Sequence, residues 1–212
     1  MTKKQTALIL TEKLRTLYPQ AVCGLRYTKP YELIIAARLS AQCTDARVNI
    51  VTLPLFERFD SLESFANADI SEVEEFVKSC GLYKTKARDI VALCAALSEL
   101  GGRIPDSIDE LLTLPGIGRK TANLIMGDIH GKPAIVADTH CIRISGRLGL
   151  CNTADPKKVE TALKKLIPPE ESNDFCHRLV LFGRDICRAR NPDCGNCPIK
   201  EYCRWKKHTM QL

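Results

Sequence analysis

The spacing Cys187-x6-Cys194-x2-Cys197-x5-Cys203 is the strongest constraint on how this chain can fold. It places four thiolate ligands on one loop-rich stretch, with Pro192, Gly195 and Pro198 bending the backbone around them. The C-terminal part is therefore expected to close on a metal centre rather than on a hydrophobic core. A structural zinc and a [4Fe-4S] cluster both take four thiolates, and ligand softness does not separate them. Zinc folds usually use two C-x2-C knuckles, so the single one here favours iron-sulfur. The other cysteines, Cys23, Cys43, Cys80, Cys94, Cys141, Cys151 and Cys176, are scattered one at a time and read as small buried hydrophobes. The apolar run Ala7 to Leu10 is broken by Glu12 and Lys13, too short for a secretory signal, so a disulfide framework is not expected. No apolar stretch approaches the length of a membrane span, and a cytoplasmic protein is expected.

The rest of the chain carries helical periodicity. Lys3 to Tyr18 places Ala7, Leu10, Leu14 and Leu17 on one stripe ahead of Pro19. Tyr31 to Gln42 is apolar nearly all round until its polar end at Ser40, Gln42, Thr44 and Asp45. A further helix runs through Val48 and Ile50, with Pro54 kinking or ending it. Ser61 to Ala66 is followed by Ser71 to Lys78, opened by a capping box of Ser71 and Glu74. After Gly81, the tip Leu82-Tyr83-Lys84 leads into a helix burying Ile90, Leu93, Cys94 and Leu97, which Gly101-Gly102 ends. A second capping box, Ser107 with Glu110, opens a short helix to Thr113. Lys132 to Ala137 is the one strand-like run and reads as a buried connector. Asp138 or Thr139 caps the helix through Ile142, Ser145 and Leu148; Asp155-Pro156 opens another; the last helix, with Phe175, Leu179, Phe182 and Ile186 on one face, ends at Cys187. About ten helices and no strand pair make the class all-α.

Between the helices Ser107 to Thr113 and Arg119 to Ile129 lies Leu114-Pro-Gly-Ile-Gly-Arg-Lys120. Proline sets the entry to a tight hairpin and glycine supplies positive φ. Such a hairpin aims backbone N–H groups outward at the start of a helix, a suitable cradle for a phosphate oxygen. The net charge of +6 favours a polyanionic partner without requiring one. Arg184, Arg188, Arg190, Lys200, Arg204, Lys206 and Lys207 surround the cysteines, against Asp185, Asp193 and Glu201, and would add a salt-sensitive attraction to phosphates. Lys120 can be read as a phosphate contact or as an amine nucleophile, since the helix N-terminus and Arg119 both disfavour an ammonium there. Asp138 pulls the other way. It reads equally as a proton acceptor, as a stabiliser of positive charge on a sugar, or as a purely structural N-cap.

Together these residues resemble the helix-hairpin-helix DNA glycosylases, and within them the iron-sulfur endonuclease III family, over nearly the whole chain. Leu114 to Asn123 is similar to that family's hairpin, Val136-Ala-Asp-Thr-His140 to its aspartate loop, and the cysteine spacing to its cluster. Ser40-Ala-Gln-Cys-Thr-Asp45 and Gly81-Leu-Tyr83 resemble its two DNA-probing loops. The resemblance implies a six-helix barrel domain, residues 23–133, containing the helix-hairpin-helix at about 107–129. That domain packs on a [4Fe-4S] domain of residues 1–22 plus 134–212, with a DNA-binding cleft between them. It also implies a base-excision repair enzyme that removes oxidised pyrimidines from duplex DNA and cleaves 3′ to the abasic site, acting as a monomer at the bacterial nucleoid. Lys120 would be the nucleophile and Asp138 the assisting carboxylate. Gln42 and Leu82 would fill the gap left by the extruded nucleotide, and Gly116, Ile117, Gly118, Arg119, His140, Arg184, Arg188 and Arg190 would contact the DNA. Cys187, Cys194, Cys197 and Cys203 would hold the cluster. The competing readings are a monofunctional adenine-type mismatch glycosylase, which Lys120 argues against, and a non-catalytic DNA-binding protein with structural zinc.

Overall fold

The computed structural model describes residues 1–205 and has no strand among them. Lys206 and Lys207 lie outside the described residues. The chain divides into two compact units, Met1–Val22 with Gly131–Leu212, and Cys23–His130. No described helix is long and apolar enough to cross a membrane.

The Cys23–His130 unit contains α2 (Pro30–Leu39), α3 (Asp45–Arg58), α4 (Leu62–Ala66), α5 (Ile70–Val77), α6 (Tyr83–Glu99), α7 (Ile108–Leu111) and α8 (Arg119–Asp128). Helix α6 packs against α2, α4 and α5, while α2 also meets α3 and α8. The core between them is aliphatic, with an aromatic cluster at one side: Phe65, fully buried, meets Tyr31 and Phe56 edge-on and tilts against Phe59 at 5.0 Å. Each such pair adds about 0.5–1.5 kcal/mol beyond its burial.

Several sequence expectations are corrected here. Helix α2 stops at Leu39 rather than Gln42, because the Ser40 hydroxyl donates back to the Ala37 carbonyl and the chain turns through a Cys43 N–H to Ser40 carbonyl bond. Of the two outcomes expected at Pro54, ending does not occur: helix α3 continues through it to Arg58, since Val48, Val51, Thr52 and Leu55 are buried along it and outweigh the lost N–H. The capping box of Ser71 and Glu74 does not form. Asp69 caps α5 instead, accepting from both the Ser71 N–H and its hydroxyl at 2.8 Å, bonds that also lower the Asp69 pKa. Ser107 does cap α7, accepting from Glu110 N–H at 3.3 Å, but the Glu110 carboxylate turns to Arg103 at 3.6 Å, so the reciprocal half is missing.

The other unit contains α1 (Lys3–Leu17), α9 (Thr139–Arg147), α10 (Pro156–Leu166) and α11 (Ser172–Asp185). Helix α1 opens on a Thr2–Gln5 capping box and packs on α10 and α11 through Ala7, Leu10 and Leu14; Leu17 is exposed, not part of the stripe. Ala134, Ile135 and Val136 form the buried extended connector. Asp155 caps α10 and Pro156 occupies its first turn. Helices α9 and α11 approach so closely at Gly183 that a Cβ there would meet His140 Nδ1, Arg143 Nη2 and Ile144 Cδ1.

Candidate functional site

The hairpin divides its two glycines between different jobs. Gly116 takes φ +71°, and a Cβ on it would come within 3.0 Å of Arg38 and Asp89. Those two residues form an ion pair at 2.6 Å between α2 and α6, so the turn rests on that pair. Gly118 needs neither role: its φ is −98°, it is the N-cap of α8, and a Cβ there would meet nothing within 4 Å. Of the two, only Gly116 supplies the positive φ expected of the hairpin. What Gly118 leaves open is a solvent-facing approach to the N-terminus of α8, where the first-turn N–H groups lack helical partners. Ile117 is buried at 7% exposure, and its N–H is taken by the Leu114 carbonyl at 3.2 Å. Its side chain therefore anchors the hairpin in the core and cannot face a ligand. Arg119 is half-buried, and Lys120, the second residue of α8, is exposed. Gly118→Ala should leave Tm nearly unchanged yet weaken binding to duplex DNA about tenfold in fluorescence anisotropy, because the methyl stands where a phosphate would. Gly116→Ala should instead lower Tm.

Gln42 and Leu82, in the same unit, are both exposed and both hold left-handed backbone, φ 55° and 50°. Leu82 is 57% exposed, a large apolar side chain held out by the turn at Gly81.

In the other unit Asp138 is the N-cap of α9, its Oδ1 accepting from Cys141 N–H at 2.7 Å. His140 lies two residues on, in the first turn of α9, its Nδ1 3.2 Å from Arg143 Nη2. Arg184, Arg188 and Arg190 are all exposed. The four clustered cysteines line one pocket together with Ile144, Leu148, Phe182, Ile199 and Trp205. Burial and the nearby Cys187, Cys203 and Cys194 push up the Cys197 thiol. Among the described residues no three such side chains close on one ion. Arg147, unnoticed in the sequence, organises the loop. Its guanidinium donates to Cys187 Sγ at 3.2 Å, Arg188 O at 2.8 Å and Ala189 O at 3.2 Å and stacks on Trp205, while its carbonyl accepts from Arg204 N–H at 2.9 Å.

The sequence profile of the HhH-GPD superfamily base excision DNA repair protein matches residues 35–169, and that of the iron-sulfur binding domain of endonuclease III matches residues 187–203. Endonuclease III of Bacillus subtilis is 43% identical over 91% of this chain and 89% of its own. This chain belongs to the endonuclease III family. Endonuclease III of Synechocystis is 42% identical over 95% of this chain and 93% of its own. A solved endonuclease III, trapped as a covalent intermediate with DNA, superposes with a TM-score of 0.93 at 43% identity, covering all of both chains. Membership makes the chain a base-excision repair DNA glycosylase with the [4Fe-4S] cluster of the endonuclease III family. The cysteine cavity fits that group, and zinc is set aside.

In this chain the scattered thiols divide. Cys80, Cys94, Cys141, Cys151 and Cys176 are buried as expected, whereas Cys23 and Cys43 are only half-buried. Burial nonetheless pushes Cys23 and Cys94 up to about 12, which keeps those two as unreactive thiols. Arg147→Met should leave the fold intact and speed loss of the visible cluster absorbance under chelator by about 10- to 100-fold, the scale of losing a hydrogen bond to a metal ligand. Arg147→Lys should not restore it, because the planar fork serves several acceptors at once.

Proposed function

We propose that this chain excises oxidised pyrimidines from duplex DNA and then cleaves the strand at the abasic sugar, with Lys120 as nucleophile. The observation that carries this reading is an exposed lysine at the second position of a helix whose N-cap is a bare, unobstructed glycine. Phosphate held at that helix end brings the sugar to the amine. The Lys120 amine attacks C1′, the bond from C1′ to the base breaks, and the base leaves with the bonding electrons and a proton. The sugar ring opens to a Schiff base on Lys120. Loss of a proton from C2′ then drives out the 3′ phosphate by β-elimination.

Asp138 assists as the anionic group near the reacting sugar. Its Oδ1 is occupied by the α9 cap, so Oδ2 is the oxygen that accepts a proton or faces positive charge. Gln42 and Leu82 fill the space of the extruded nucleotide, a step that costs least for damaged, poorly stacked bases. Gly116, Gly118 and Arg119, with His140, Arg184, Arg188 and Arg190, hold phosphates; Ile117 supports the hairpin from beneath. Cys187, Cys194, Cys197 and Cys203 hold the cluster, which shapes the arginine-bearing loop. The units act as a hairpin domain, residues 23–133, and a cluster domain, residues 1–22 and 134–212, of a monomer working on nucleoid DNA.

Sodium borohydride reduction during turnover of abasic duplex DNA tests the proposal. A covalent protein–DNA adduct is expected from the wild-type chain. Release of adenine without adduct or strand cleavage would favour a monofunctional mismatch glycosylase instead.

A further inference from the structure

The left-handed backbone of Gln42 and Leu82 is unfavourable for an L-residue, because its Cβ crowds the following carbonyl oxygen. Such conformations persist where the surrounding structure over-determines them. One side chain reaches both bends. Lys86, in the first turn of α6, is fully buried at 0% exposure. Its ammonium donates to the carbonyls of Leu39 and Cys80, both at 2.8 Å. Leu39 ends α2, and the Ser40–Cys43 turn bearing Gln42 follows it directly. Cys80 ends a short 3-10 turn (Lys78–Cys80) and leads into Gly81 and Leu82. The Lys86 N–H also donates to the Leu82 carbonyl at 3.0 Å, so the Gly81–Leu82 pair is held on both sides by one residue.

This is an expensive way to fill a core. Burial pushes the Lys86 pKa down, and the charged or titratable groups facing it are the Cys80 and Cys43 thiols and the Arg38 guanidinium. A methionine would fill similar space without stripping water from an ammonium. What methionine cannot do is join two backbone carbonyls from separate bends.

We propose that Lys86 is a positioning residue for nucleotide extrusion, its ammonium cross-linking the Gln42 and Leu82 bends so that the two side chains meet DNA as one fixed wedge. The inference rests on the gap-filling role proposed for Gln42 and Leu82. Two substrates separate the steps: duplex DNA carrying one oxidised pyrimidine, whose release needs extrusion, and a single-stranded oligonucleotide with a preformed abasic site, whose β-elimination does not. Lys86→Met is expected to slow base release at least tenfold and to leave single-strand cleavage within twofold of wild type. The double variant Gln42→Ala/Leu82→Ala is expected to slow base release at least tenfold as well. Unchanged base release in Lys86→Met, or an equal fall in both activities, overturns the role of Lys86 while the double variant still reports on the wedge. Normal base release by the double variant overturns the wedge itself. Lys86→Leu, which also lacks a donor, carries the same comparison if the methionine variant does not fold.

Discussion

Lys120→Gln is expected to lose the borohydride-trapped adduct completely and to cut abasic-site cleavage by ~10³-fold or more, the scale that follows removal of a nucleophile. The change should cost almost no stability. Lys120 is exposed near the start of α8, and glutamine is nearly as good a helix former as lysine. Binding to a duplex with a non-cleavable abasic analogue should fall only modestly, because the glycine hairpin and its helix N-terminus remain. Gel analysis of the trapped adduct, anisotropy and thermal melting on the same preparation check all three. A surviving adduct would move the nucleophile elsewhere.

Asp138 offers a cleaner separation of structure from chemistry, because its carboxylate demonstrably caps α9. Asparagine caps a helix about as well as aspartate. Asp138→Asn should therefore melt at the wild-type temperature and yet lose about 10²- to 10³-fold in base release, the usual worth of a positioned proton-transfer group. Asp138→Ala should show the same activity loss together with about 1 kcal/mol of destabilisation, a fall in Tm of about 2–4 °C. Equal activity in Asp138→Asn and wild type would reduce this aspartate to a cap. Comparing the two variants in one melting and turnover series makes that distinction directly.

The parts of the molecule that could be read without coordinates are those whose chemistry is local in the chain. The cysteine spacing, the Leu114 to Lys120 hairpin, the Asp138 and Asp155 caps and the buried stripes of α6 and α11 each lie within a few turns of chain, where periodicity and turn chemistry act. The sequence is ambiguous where a residue has two local options. Asp69 and Ser71 can both cap α5, and the earlier one captured the later one's hydroxyl. Ser40 can continue α2 or fold back on it, and folding back freed Gln42 to turn.

Lys86 and Arg147 show what remained hidden. Each sits in register with apolar neighbours, Lys86 beside Ala87 and Ile90, Arg147 beside Ile144 and Leu148, which was the only sequence hint that either is more than a solvated charge. Their partners are backbone carbonyls and a thiol distant along the chain, at Leu39 and Cys80 for one and at Cys187 to Ala189 for the other. Carbonyl acceptors leave no trace in residue identity, since every residue carries one. The amino-acid order alone therefore determined the all-α class, the metal-binding loop and the phosphate-suited hairpin, because these follow from side-chain type and spacing. Tertiary structure alone decided that Gly116 is tied to the Arg38–Asp89 pair while Gly118 stays open, that Ile117 is an anchor, and that one buried ammonium holds two strained bends. The physical reason is the same in each case: a backbone donor or acceptor is satisfied by whichever group folding brings within reach, and sequence distance does not limit that reach.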